Sequence, residues 1–353
     1  MSKAAICVVV PVYKAMATLD RCVESVLAQQ VEGGLTCILV DDGSPDESGA
    51  LCDAWAAKDD RVTVIHQDDL GVSGARNSGL AAADSEFIVF LDSDDALRPG
   101  ALQAALTAQR AAPQDFVVWH YTTNEKDPAA VTADAEPRTQ AGLARLWLDC
   151  LLAMPWNKLY RADLAKQLQF DVQYTLGEDL QFVLDYIALL GQTVPEFGYR
   201  VMTSPLTFYD CSRGGTLSTR YHANYCDIWP KHFAKLNAAC HAAACPAEDM
   251  RPLHRAELQV FAEGVADIMR RDPSPTQRLK GYKAEAALRS PWLRALLERM
   301  KIEHCYSAYY LPCRWRNVGL VCRVDEARRA NAPLYGKLDW AGYYLLLGRM
   351  RRD

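Results

Sequence analysis

Four apolar residues, Ile88 to Leu91, run directly into Asp92, Ser93, Asp94 and Asp95. Carboxylates crowded at the end of a strand repel one another unless a cation neutralises them. Ligands of open α/β sheets bind outside the carboxyl ends of the strands. A hard divalent cation shared with diphosphate oxygens meets both conditions, because Mg2+ and Mn2+ favour oxygen and take only one or two carboxylates from the protein. The Gly and terminal Glu of a calcium loop are missing, so the metal is expected to be shared with a substrate. The competing reading is a set of caps for a helix starting at Leu97 to Pro99.

A second acidic pair, Asp41-Asp42, follows the apolar run ending at Val40, with Gly43-Ser44 permitting a tight turn. One carboxylate suits a nucleobase N–H or a ribose hydroxyl, and both equally suit capping the next helix. The stretch GVSGARNSG, Gly71 to Gly79, joins a strand to a helix through glycines and places Arg76 near the helix amino end. Arginine and a helix amino terminus both favour phosphate. Glu178-Asp179 supplies a further carboxylate pair, which reads on its own as an acidic first helical turn. The seven histidines show no zinc spacing and read as surface or satisfied core residues, and no Gly-x-Ser-x-Gly nucleophile elbow is present.

These residues need a scaffold that brings strand ends together. Ile6 to Val10, Thr36 to Val40, Val62 to Ile65 and Phe87 to Leu91 read as strands; Leu19 to Gln29, Glu47 to Lys58 and Ser73 to Ala83 read as helices. That alternation predicts βαβ units and a mostly parallel sheet flanked by helices, with Pro99 opening another helix. Asp115 to Val118 reads as a strand, Asn124 to Gln140 as an exposed loop, Leu143 to Leu152 and Asp179 to Leu190 as helices, and Arg200 to Tyr209 as strand-like. After Tyr221 the pattern is helical throughout, which sets the expected division at 1–220 and 221–353, with a nucleotide-binding half over 1–114 and an acceptor-binding half over 115–220.

The chain has 353 residues and a net charge of -5, so no global positive field drives nucleic-acid binding. Cys7, Cys22, Cys37 and Cys52 recur every 15 residues without local self-similarity, and read as small buried apolar residues. The beginning, MSKAAICVVVPVY, lacks a signal-peptide pattern, so the thiols are expected to be reduced and the compartment cytoplasmic. No run approaches the roughly 18 apolar residues of a membrane span.

The stretches VVVPVY, ILVDDGSPDES, GVSGARNSGL and FLDSDD, in this order and spacing, resemble the family 2 glycosyltransferases of GT-A fold, of the bacterial surface-polysaccharide type. The resemblance extends more loosely through PWNKLYRADL, GEDLQF and YDCSRGGTLS, covering about the first 220 residues. It implies metal-dependent, inverting transfer from a UDP-sugar to a saccharide hydroxyl, with a lipid-linked or surface polysaccharide precursor as acceptor. Pro11, Val12 and Tyr13 would line the donor site; Asp41 and Asp42 would face uracil and ribose, and Arg76 the nucleotide. Asp92-Ser93-Asp94 would hold metal and diphosphate, with Asp94 the direct ligand and Asp92 beside it. Arg213 would stabilise the leaving group, and Asp179 would be the base, with Glu178 orienting it. Trp156, as a stacking surface, and Asp95 are the candidate acceptor contacts, although Pro155-Trp156 also reads as a packed turn and Lys158 as solvated. Lys14 stands where the family often has Asn, and Cys211 where relatives commonly carry Arg. The alternative function is a nucleotide- or carbohydrate-binding module without turnover.

From Arg299 onward eleven Lys or Arg face five acids, a net +6, interleaved with Tyr306, Tyr309, Tyr310, Trp315, Trp340, Tyr343 and Tyr344. This suits a helix at an anionic membrane surface and equally an aromatic face packed on protein.

Overall fold

The protein is described here from a computed structural model that covers residues 3–174, 176–212, 220–331 and 335. The chain divides into two compact units, Met1–Gly214 and Gly215–Asp353.

The first unit begins with three strand–helix pairs: β1 (Ala4–Val12), α1 (Leu19–Leu27), β2 (Leu35–Asp42), α2 (Ser48–Lys58), β3 (Val62–Gln67) and α3 (Gly71–Ala82). Next come β4 (Ser85–Phe90), β5 (Ala96–Leu97), α4 (Ala101–Ala111), β6 (Phe116–Thr122), β7 (Ala135–Thr139), α5 (Leu143–Leu148), β8 (Lys158–Arg161), α6 (Ala162–Ala165), α7 (Glu178–Thr193) and β9 (Gly198–Phe208). The strands lie in the order β3-β2-β1-β4-β8-β6-β9-β5, with β7 added on β9. β1 pairs in parallel with both β2 and β4, and β2 with β3. Helices cover both faces of such a sheet, so its strands read as continuous apolar runs, and Ile6 to Val10 are all fully buried. Val12 is registered with Asp41 on β2, which sets the β1 and β2 ends side by side.

Cys22, Cys37 and Cys52 belong to the core on one face of this sheet, and Cys7 is also fully buried. All are free thiols, pushed up by burial, so they act as small apolar residues. Their 15-residue recurrence is the strand–helix alternation itself.

Three local readings need correction. Pro99 does not open a helix: the α4 N-cap is Gly100, at φ 78, and the helix starts at Ala101. The stretch 124–140 is not loop throughout, because Ala135 to Thr139 form β7 against β9, a short edge strand with too few apolar residues to announce itself. No helix starts at Leu97 either: Ala96-Leu97 bridge to Phe208-Thr207 of β9, so the aspartates before them are not caps.

The second unit is helical: α8 (Tyr225–Ala242), α9 (Ala247–Arg271), α10 (Gln277–Ala287), α11 (Pro291–Ile302), α12 (Tyr310–Arg314) and α13 (Val318–Arg329). Its core gathers Leu258, Phe261, Val265, Leu296 and Met300 with Tyr306, Tyr309 and Tyr310. Those three tyrosines are therefore core residues, whereas Trp315 is exposed. Trp340, Tyr343 and Tyr344 lie outside the described residues. Asp325 is fully buried and accepts from Arg329 at 2.9 Å and from Arg270 at 2.5 Å, which ties α13 to α9. Among the described residues, no helix is long and apolar enough to cross a membrane.

Candidate active site

The Asp92–Asp95 segment closes a turn directly beyond β4, with the Asp95 N–H donating to the Asp92 carbonyl. α1 holds this turn from behind. Arg21 donates through Nη2 to the Asp94 carbonyl at 2.5 Å and to Asp210 Oδ2 at 2.7 Å, and the Cys22 thiol faces the Asp92 carbonyl at 3.6 Å. Asp210 in turn donates its N–H to Asp95 Oδ1. The turn is thus tied both to α1 and to the chain leaving β9.

Arg76 lies in the second turn of α3 and points inward, with only 3% of its side chain exposed. Its Nη2 donates to Asp92 at 2.8 Å and its Nη1 to Asp179 at 2.6 Å, while the guanidinium sits over the Phe170 ring. Arg76 is thus a buried bridge between two carboxylates. The motif's glycines serve packing: a Cβ on Gly79 would stand 2.3 Å from Val9 Cγ1. Close approach of α3 to the sheet is what turns Arg76 toward β4.

Asp179 stands in the first turn of α7, behind Gly177 at φ 78. Burial, with the charges of Glu178 and Asp92, outweighs Arg76 and pushes its carboxyl up to about 7. Its side chain retains 28% exposure, so the group can meet a ligand.

Asp41 and Asp42 brace their turn. Asp41 accepts from the Ser44 N–H and stands 3.0 Å from His66 Nδ1; Asp42 accepts from Gln67 Nε2 and the Leu70 N–H. Lys14, at φ 53, donates its N–H to Ser44 Oγ. An Asn at that position adopts this conformation more readily than Lys does. Pro11 and Val12 are buried in the sheet and Tyr13 is exposed beside the turn.

The two acceptor candidates are placed otherwise. Asp95 is fully buried, and its carboxyl is pushed up to about 9 by burial and by Asp92, which makes it a neutral acid behind the turn. Trp156 is 3% exposed, stacked on Tyr209 and edge-on to Tyr121, so the packed-turn alternative describes it. Lys158 is not solvated: it is fully buried and donates to the Leu151 and Met154 carbonyls and to Asn157 Oδ1. Burial lowers its pKa, with Asp179 opposing. Arg213 lies outside the described residues. The sequence does not single out Arg21, and it reads His66 only as one of the surface or satisfied core histidines. Arg21 has no motif around it, whereas His66 shares the strand-end row with Asp41, its register partner.

The turn suits a divalent cation in its donor set. Asp92 commits one oxygen to Arg76, and Asp94 is partly exposed two residues on. Among the described residues, the three-ligand cluster is His254, Glu303 and Cys305 in the second unit. There His254 Nδ1 already meets Glu303 at 2.6 Å and Arg299 stands 3.3 Å from Nε2, a satisfied buried network beside a resident cation. At Asp92-Asp94, oxygen ligands beyond the two carboxylates would come from phosphates and water, as hard cations accept.

The profile described as "Glycosyl transferase family 2" matches residues 7–169. "Glycosyltransferase GlyG" of Streptococcus pneumoniae is 38% identical over 117 residues, covering 33% of this chain and 38% of that protein. "Uncharacterized glycosyltransferase YibD" of Escherichia coli is 31% identical over 236 residues, covering 63% of this chain and 68% of that protein. The matches span about half or less of the length of several other curated relatives, including GlyG. In fold the chain is similar to Staphylococcus aureus TarS 1-349 in complex with UDP-GlcNAc, with a TM-score of 0.61 at 17% identity, covering 93% of this chain and 92% of that one. The matched segment carries the strand-end aspartates and Arg76, and by this sequence match the chain belongs to glycosyl transferase family 2.

Proposed function

We propose that the protein transfers a sugar from a UDP-sugar to a hydroxyl of a saccharide acceptor, with inversion at the anomeric carbon and dependence on a divalent cation. The observation that carries this reading is the Asp92–Arg76–Asp179 bridge, which fixes a carboxyl of near-neutral pKa beside the Asp92-Ser93-Asp94 turn. A general base works best with a pKa near the operating pH.

In the reaction, Asp179 accepts the proton of the acceptor hydroxyl as that oxygen attacks the anomeric carbon. The bond from that carbon to the diphosphate oxygen breaks on the opposite face, and UDP leaves with the electron pair. Glu178 stands beside the base and raises its pKa by repulsion. A cation held by Asp94 and Asp92 would supply charge stabilisation to the departing diphosphate. Tyr13, Asp41 and Asp42 form the nucleoside side of the site, and Arg213 is assigned to the diphosphate. The UDP-GlcNAc complex of TarS supports a uridine donor. Asp94 and Asp179 argue for turnover over a binding module, since a module needs no base.

The acceptor is proposed to be a lipid-linked or surface polysaccharide precursor, met at the cytoplasmic face of a membrane. Exposed Trp315 between exposed Arg314 and Arg316 supports a peripheral contact there. Calorimetric titration with UDP, with GDP as control, in Mn2+ or Mg2+ and then in EDTA, tests the donor assignment. Metal-dependent binding of UDP alone supports it; no binding of either nucleotide by folded protein overturns it.

A further inference from the structure

His66 lies at the carboxyl end of β3, half-exposed, with each ring nitrogen on a carboxylate: Nδ1 is 3.0 Å from Asp41 Oδ2 on β2, and Nε2 is 2.9 Å from Asp53 Oδ1 on α2. A neutral imidazole has one N–H and one lone pair, so it can donate to only one of the two. Two carboxylates at these distances require both nitrogens to donate, which is the imidazolium form. Both carboxylates raise the His66 pKa, consistent with the geometry.

Asp41 has little freedom apart from this contact. Its other oxygen accepts the Ser44 N–H, and a Cβ on Gly49 would stand 2.7 Å from Oδ2. The glycine leaves the room that the Asp41–His66 pair fills. The imidazolium also offsets one of the two acidic charges beside it, where an anionic nucleotide would approach.

We infer that His66 is a positioning residue for nucleotide binding: as an imidazolium it orients Asp41 toward the nucleobase and makes donor affinity depend on its own protonation. This rests on the proposed nucleoside role of Asp41. Asp53 is mostly exposed and lies on the far side of the ring, so its part is to hold the proton on His66. The charged groups facing His66 are Asp41 from β2 and Asp53 from α2.

The test is calorimetric titration of the full chain with UDP and with CDP in Mg2+, from about pH 6 to about pH 8.5. Wild type is expected to lose about tenfold in UDP affinity across this range, a change of the size one charge-assisted hydrogen bond confers. His66→Gln should bind UDP at every pH about as weakly as wild type does at the alkaline end, with reduced discrimination between UDP and CDP. Asp53→Asn should match wild type at the acid end, but as pH rises its loss of affinity should set in at a lower pH than in wild type, because removing a carboxylate lowers the His66 pKa. A His66→Gln pH profile parallel to that of wild type, or UDP/CDP discrimination unchanged by that substitution, overturns the inference while leaving the donor site standing. No UDP binding by wild type at any pH overturns the nucleotide reading, and this one with it.

Discussion

Arg76 and Asp179 are 103 positions apart in sequence and joined at 2.6 Å, and the same guanidinium holds Asp92 at 2.8 Å. A buried arginine shared by two carboxylates lowers the pKa of each less than it would lower one alone. Burial, with the charges of Glu178 and Asp92, outweighs that lowering and leaves the Asp179 carboxyl at about 7 beside the Asp92-Ser93-Asp94 turn.

The pH dependence of transfer follows from that value. Asp179 accepts a proton only when ionised, so kcat/KM should fall tenfold per pH unit below about 7 and level off above it. Arg76 opposes the upward shift, so Arg76→Gln should move this limb about one pH unit higher, and more if Asp92 stays charged. A limb at the ordinary carboxylate pKa, or one unmoved by Arg76→Gln, contradicts the assignment.

Asp95→Asn should be nearly silent. The carboxyl is fully buried and neutral at pH 7, and Oδ1 accepts the Asp210 N–H, which an Asn oxygen can do as well. Transfer within about threefold of wild type is expected, since no charge is removed. An acceptor-binding role would instead raise the acceptor KM.

Gly79→Ala should destabilise the first unit. The added Cβ meets Val9 Cγ1 at 2.3 Å and Val40 Cγ2 at 3.2 Å, both on sheet strands that cannot withdraw. Overpacking of this kind costs about 1–3 kcal/mol, read as a lower midpoint in denaturant titration. Combining it with Val9→Ala should cost less than the two separate effects added together, because the second change opens the space the first one needs. Simple additivity would contradict the packing account.

Much of this architecture was legible in the sequence, because parallel strands covered on both faces are near-continuous apolar runs and their carboxyl ends are marked by Asp41-Asp42 and Asp92-Ser93-Asp94. Periodicity also placed α7, whose first turn carries Glu178-Asp179. Contacts between distant segments were not legible. Nothing local to DRCVESVL says that Arg21 reaches Asp94 and Asp210, nor does local sequence say that Arg76 turns inward. Polar residues made Ala135 to Thr139 look like loop, because strand character on an edge comes from its partner β9. Trp156 and Lys158 show the same limit: Trp156 read as a stacking surface or a packed turn and Lys158 as solvated, and their burial follows from Tyr121, Tyr209 and Asn157 arriving from elsewhere in the fold or beside them.

The most direct test of the account is Asp179→Asn, measured twice on the same preparation: UDP binding with metal, and transfer from UDP-sugars to a saccharide acceptor. The account predicts UDP affinity within a few-fold of wild type and transfer reduced by about 10²–10⁴-fold, the contribution of a positioned general base. Transfer at the wild-type rate by Asp179→Asn would contradict the central claim.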